Sequence, residues 1–118
     1  MKTMLVPYGA NVDNWATGYA FKNTSDLNHA VDISVTSEDG KVTKHTRILI
    51  TPKAIEVLGP DDIKKLVDGR HSLTSVGPDE VFVIAINTLA TKNNENEITS
   101  RSVFSLPIFD ITETSVKN

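Results

Sequence analysis

Trp15-Ala16-Thr17-Gly18-Tyr19-Ala20-Phe21-Lys22-Asn23-Thr24-Ser25 is the stretch whose reading decides the fold. Trp15, Thr17, Tyr19 and Phe21 occupy every second position, with small or polar residues between them. That is the period of a strand with one buried face. The segment holds the only Trp of the chain. Aromatic side chains dominate the burial energy of a small core, so this face is expected to point inward. Gly18 allows close packing, and Asn23 to Ser25 turn the chain toward the next strand. None of these residues supplies a reactive group.

Working outward, Val31 to Thr36 alternates apolar and polar residues without error. Ser37-Glu38-Asp39-Gly40 then closes a hairpin, because Asp-Gly readily takes the positive φ angles such turns need. The return strand runs from Lys41 to Ile50, Thr51-Pro52-Lys53 breaks it, and Ala54 to Leu58 forms another short apolar piece. Upstream, Met4 to Tyr8 reads as a first short strand, with Pro7 placing it at an edge or strand end. Gly59 to Gly69 carries the one helix signal, about two turns long. Pro60 suits its first position, Asp61 and Asp62 favour its N-terminus, and Gly69 stops it. Ile63, Leu66 and Val67 form its apolar face. Next come a strand over His71 to Val76, a turn at Gly77-Pro78-Asp79, and the run Val81 to Asn87. A solvated loop from Thr91 to Glu97, a strand from Ile98 to Leu106 and an extended tail to Thr112 follow. About eight short strands with one short helix predict an all-β fold, an antiparallel β-sandwich in a single domain over residues 1–118. A small Greek-key β-barrel is the alternative.

Composition narrows the function classes. At 118 residues the chain is long enough to bury a core without disulfide or metal staples. Net charge is −3 and the isoelectric point about 5.5. The twelve Lys and Arg are scattered, so the clustered positive charge that binds nucleic acid or anionic membrane is missing. There is no Cys, which rules out thiol chemistry. Met1 to Tyr8 lacks the sustained apolar stretch of a secretory signal. No apolar run approaches the roughly 18 to 20 residues that cross a bilayer. Synthesis and folding in the cytoplasm is the expectation, with residence in a virion if the chain is phage-derived.

Catalytic signatures are missing. His29, His45 and His71 show no metal-binding spacing. Glu38-Asp39, Asp61-Asp62 and Asp79-Glu80 are each explained by a turn or a helix start, so no acid/base pair is assigned. There is no G-x-S-x-G elbow and no phosphate-cradling glycine pattern. The chain is read as a non-enzyme with no cofactor and no metal. Asn23-Thr24-Ser25 matches the glycosylation sequon but, without a secretory signal, is expected to stay unmodified. Trp15 and Tyr19 could offer an aromatic platform to a carbohydrate. Packing in the core or against a neighbouring subunit is the reading adopted for them, because they lie too close in sequence to define a groove. Val81 to Asn87 is apolar on both faces. It is therefore expected to be a central strand that is covered on each side or meets a partner subunit, through Phe82, Ile84 and Ile86.

Trp15-x-Thr17-Gly18, then Asn23-x-Ser25, an alternating strand, Asp39-Gly40 and a return strand ending near Pro52 resemble a pattern in small bacterial and phage β-sandwich proteins. In outline the chain is similar to the sensory rhodopsin transducer family, over roughly Trp15 to Leu58. That resemblance implies an oligomeric β-sandwich and a role as a ligand-binding or signalling adaptor module. It places no binding residue on this sequence. The leading expectation is a self-associating structural or interaction protein, with itself and other proteins of an assembly as partners. A phage decoration, neck or tail protein is the form envisaged.

Overall fold

A computed structural model describes residues 1–113. Period-two patterning becomes nine antiparallel strands: β1 (Lys2–Asn11), β2 (Trp15–Asn23), β3 (His29–Ser37), β4 (Thr43–Ile50), β5 (Ile55–Leu58), β6 (Gly69–Gly77), β7 (Val81–Lys92), β8 (Ile98–Ser105) and β9 (Phe109–Asp110). One short helix, α1 (Pro60–Lys64), lies between β5 and β6. The strands form two separate sheets, of order β4-β3-β6-β1-β9 and β5-β2-β7-β8. The fold is a β-sandwich, and the barrel alternative is not formed.

Alternation decides which side chains meet between the sheets. Thr17, Tyr19, Phe21 and Asn23 of β2 are buried, as are Val31, Ile33 and Val35 of β3. Val6, Ile50, Leu73, Val81 and Ala85 complete the layer, and Ile63 and Val67 close one end. Each fully buried aliphatic or aromatic side chain contributes about 1.5–3 kcal/mol, so this layer is the main source of stability.

Several elements differ from their sequence reading. β1 spans ten residues, because the register shift between Val6 and Gly9 absorbs Pro7 in a bulge. There the missing N–H costs no ladder bond. β7 continues to Lys92, where pairing with β8 carries it past the expected loop start. The helix is shorter than two turns. It begins with the Gly59 N–H donating to the Asp62 carboxylate at 2.9 Å and is capped at Lys65. Leu66 and Val67 then bond back to the Ile63 carbonyl, and Gly69 takes φ +86° to start β6. The Asp39-Gly40 hairpin forms as read, with Gly40 at φ +75° and the Asp39 carboxylate accepting from the Ser37 hydroxyl and the Lys41 N–H. Among the described residues no helix is long and apolar enough to cross a membrane.

Asn23 ties the layers together. Its side-chain amide, fully buried, donates to the Leu27 and Ile50 carbonyls at 2.7 and 3.0 Å, with Thr51 O at 3.2 Å. Its Oδ1 accepts from the Ser25 N–H and hydroxyl at 2.9 and 2.8 Å. The Asn-x-Ser turn is thus a hydrogen-bonded joint between the end of β2 and the end of β4.

Candidate functional site

The outer face of the four-stranded sheet is built by the same alternation that fills the core. Ala16, Gly18, Ala20 and Lys22 are the β2 residues pointing away from it. Register sets Gly18 opposite Ile86, Ala20 opposite Ile84 and Lys22 opposite Phe82. On the other side Ala20 faces Val57 and Lys22 faces Ile55. Val103 of β8 lies opposite Thr88. Ile55, Val57, Phe82, Ile84, Ile86 and Val103 therefore share one surface, each between 40% and 66% exposed. The Lys2 ammonium sits 4.3 Å from the Phe82 ring centroid and partly roofs it.

The small side chains of β2 make a furrow in this surface. It encloses about 300 Å³ and runs between Val57 and Pro60 on one side and Ile84, Ile86 and Thr88 on the other. Gly18 lies on its floor, and a Cβ there would meet Leu58 O and Pro60 Cδ at 3.7 and 3.8 Å, ordinary contact distances. Close packing is not what Gly18 provides, contrary to its sequence reading. Instead it deepens the furrow. Spacings of about 4.8 Å between strands and 3.4 Å per residue give the apolar face roughly 400 Å² in projection. The largest apolar patch on a single chain usually spans about 300–600 Å² and is often functional.

The five residues singled out in the sequence divide here. Phe82, Ile84 and Ile86 come together on the open face. β7 is central in its sheet but covered on one side only, so the expectation of cover on each face does not hold within one chain. Tyr19 does not belong to any exposed surface: it is 1% exposed and its ring lies between the sheets. Trp15 is half-buried on the inner side of β2, with its ring 5.9 Å from Phe104 and tilted 45°. The two rings do not form a platform for a sugar, because odd-numbered β2 residues point inward. Ile55, Val57 and Val103 were missed. The Ile-Glu-Val alternation around Glu56 was the available signal, but only register brings it beside β7.

The titratable groups within the core are fully engaged. The Tyr19 hydroxyl lies 2.7 Å from His71 Nε2, and His71 Nδ1 lies 3.1 Å from the Gly69 carbonyl. A carbonyl only accepts, so Nδ1 carries the proton and Tyr19 donates to Nε2. Burial lowers the His71 pKa and raises that of Tyr19, each favouring its neutral form. Neither ring nitrogen is left to act as a base. Thr17 accepts from the Ala10 N–H at 2.8 Å and donates to Asn87 Oδ1 at 2.9 Å. His45 bonds Ser34 on the surface, and His29 lies 3.9 Å from Glu80. Among the described residues no three His, Asp or Glu side chains converge as metal ligands do.

Fold and surface together define an antiparallel β-sandwich with one apolar face left open. No protein-family model matches the chain, and no curated protein matches it. The chain is similar to the crystal structure of Thermotoga maritima 1070, with TM-score 0.64 and 14% identity over 90% of this chain and 92% of that one. At that identity the likeness carries the fold alone.

Proposed function

We propose that this protein works by self-association and protein contact and not by catalysis. The observation that carries the reading is the contiguous apolar face formed by Ile55, Val57, Phe82, Ile84, Ile86 and Val103. Leaving such a surface in water forfeits about 25 cal/mol per Å², and closing it against a second copy recovers that energy. Light scattering at micromolar concentration tests this: an oligomer is expected. Ile84→Glu with Ile86→Glu should reduce it to smaller species with unchanged circular dichroism. A wild-type monomer across that range sinks the reading.

A second reading is favoured by the furrow, whose apolar walls suit a nonpolar ligand better than a sugar. It fits the ligand-binding or signalling module implied by the resemblance to rhodopsin transducers. An environment-sensitive apolar dye should bind with one site per chain and be lost in Gly18→Leu. Binding that survives that change counts against the furrow. The larger assembly, virion or sensory complex, is distinguished by gene neighbourhood. Capsid and tail genes alongside support a phage virion component, and a membrane photoreceptor gene supports an adaptor.

A further inference from the structure

The chemistry of the furrow changes along its length, and register gives the direction. Ala16, Gly18 and Ala20 floor it, and Lys22 follows at the same parity two residues on. At 3.4 Å per residue, Ala16 to Lys22 spans about 20 Å. Ile55 and Phe82 flank Lys22 on the neighbouring strands, and the Lys2 ammonium lies 4.3 Å from the Phe82 ring centroid. One end therefore carries two ammonium groups. At the other, Ala16 and Thr88 meet the start of α1, where Asp61 and Asp62 are balanced by Lys64 and Lys65. The Asp62 carboxylate is already bonded to the Gly59 N–H.

The carboxylates around the lysine end are turned to other partners. Asp79 lies 3.8 Å from the N-terminal ammonium, Glu80 3.9 Å from His29, and Asp26 3.7 Å from Lys53. Asp110 accepts from the Thr112 N–H at 2.9 Å and feels Lys2 only at longer range. Glu56 has the opposite parity to Ile55 and Val57. Among the described residues no carboxylate forms an ion pair with Lys2 or Lys22. Lys22 donates one hydrogen to the Lys53 carbonyl and keeps two free. Both lysines are half-buried, the state in which a stem covers apolar surface while its charge stays at the edge.

We propose that the furrow binds a free single-chain amphiphile with an anionic head, of the fatty-carboxylate class. Its hydrocarbon lies over Gly18 and Ala20, between Val57 and Ile84, and its carboxylate meets the Lys22 ammonium with Lys2 beside it. The walls admit one chain, because β5 and β7 are two strand spacings apart, about 9.6 Å between backbones. A charge-assisted hydrogen bond available at one end only fixes the direction of the ligand. A cationic head finds no such partner: Lys22 repels it, and the helix start at the other end is balanced. The inference rests on the nonpolar-ligand reading of the furrow and adds to it the head group and its position.

Three ten-carbon probes separate head from tail: decanoate, decanol and decyltrimethylammonium, each as monomer in solution. The titration is run by calorimetry on dilute protein, where a second copy competes least for the same face. Decanoate should bind once per chain and at least about tenfold tighter than either other probe, the worth of one hydrogen bond to a charged group. Lys22→Gln should bring decanoate down to the affinity of decanol, and Gly18→Leu should abolish binding of both. Lys64→Gln, at the opposite end, should leave the preference intact. If decanol binds and Gly18→Leu abolishes it, but decanoate is no tighter or keeps its advantage in Lys22→Gln, the anionic head is overturned while the furrow stands. An equal loss of preference in Lys64→Gln overturns it too, since net charge alone then explains the result. Protein that sediments with phosphatidylglycerol vesicles yet ignores monomeric decanoate overturns the free ligand in favour of a membrane surface. If no probe binds, or binding survives Gly18→Leu, both the proposal and the furrow reading fall.

Discussion

Gly9 lacks a side chain because Tyr19 and His71 fill the space one would need. A Cβ at that position would overlap the Tyr19 hydroxyl and meet His71 Nε2 at 2.6 Å. Gly9→Ala is expected to destabilise the fold by about 1–3 kcal/mol, read from the urea midpoint. The buried pair also fixes the response to pH. Burial lowers the folded-state pKa of His71, so the unfolded chain takes up that proton first as pH falls. Stability should therefore be level near pH 7 and decline as pH drops through the ordinary histidine value of about 6.5. His71→Gln should flatten the slope between pH 7 and 5, and urea midpoints across that range check it. At the other extreme Tyr19 keeps its proton where an unfolded tyrosine loses it, so stability should decline again above about pH 10. Asn23→Ala removes the donor to the Leu27, Ile50 and Thr51 carbonyls, of which the Ile50 bond is buried, and should cost about 2–4 kcal/mol in the same assay.

At the scale of the elements, β2 illustrates how much of the molecule can be read from its residues. Alternation alone assigns Thr17, Tyr19, Phe21 and Asn23 to the core, and the same logic recovers β3 and the Asp39-Gly40 hairpin. Features set by distant partners are not legible in this way. Pro7 suggests a strand end, but a bulge beside β6 lets β1 continue. Thr91 and Lys92 read as the start of a loop, yet β8 pairs with them. β9 is two residues long and exists through its pairing with Met4 and Leu5. The candidate surface shows the same division. Phe82, Ile84 and Ile86 were visible because β7 is apolar at both parities. Ile55, Val57 and Val103 join them only through sheet order, and Tyr19 leaves the set because its parity is inward. Gly18 yields a test at this scale. With room for a methyl group, Gly18→Ala should stabilise the isolated chain by up to about 1 kcal/mol through a less flexible unfolded state. Thermal unfolding in the Ile84/Ile86 glutamate background would measure that effect apart from assembly.

The whole molecule is elongated, with extents of 60 × 33 × 22 Å and a Cα radius of gyration of 15.7 Å. A compact chain of this length would have a radius of about 13–14 Å. β8 is exposed along its full length. Under the proposed self-association, part of the stability comes from contact between copies. The unfolding midpoint should therefore rise with protein concentration over a hundredfold range, as mass action requires when only folded copies bind one another. Because the proposed contacts are apolar, raising the salt concentration should not dissociate the assembly. Scattering at low and high ionic strength checks this.

The enclosed amide of Asn23 has a consequence for how this chain can be manufactured. Its sequon is intact, but the nitrogen that would carry a sugar is turned inward and both its hydrogens are engaged. Oligosaccharide transfer in a eukaryotic secretory pathway acts on nascent chain, before β2 and β4 have met. A glycan attached then would occupy the space of the joint, and the sheets could not close around it. Secretion from such a host should yield a glycosylated fraction that stays unfolded, and Ser25→Ala should abolish that fraction. Bacterial expression should give none.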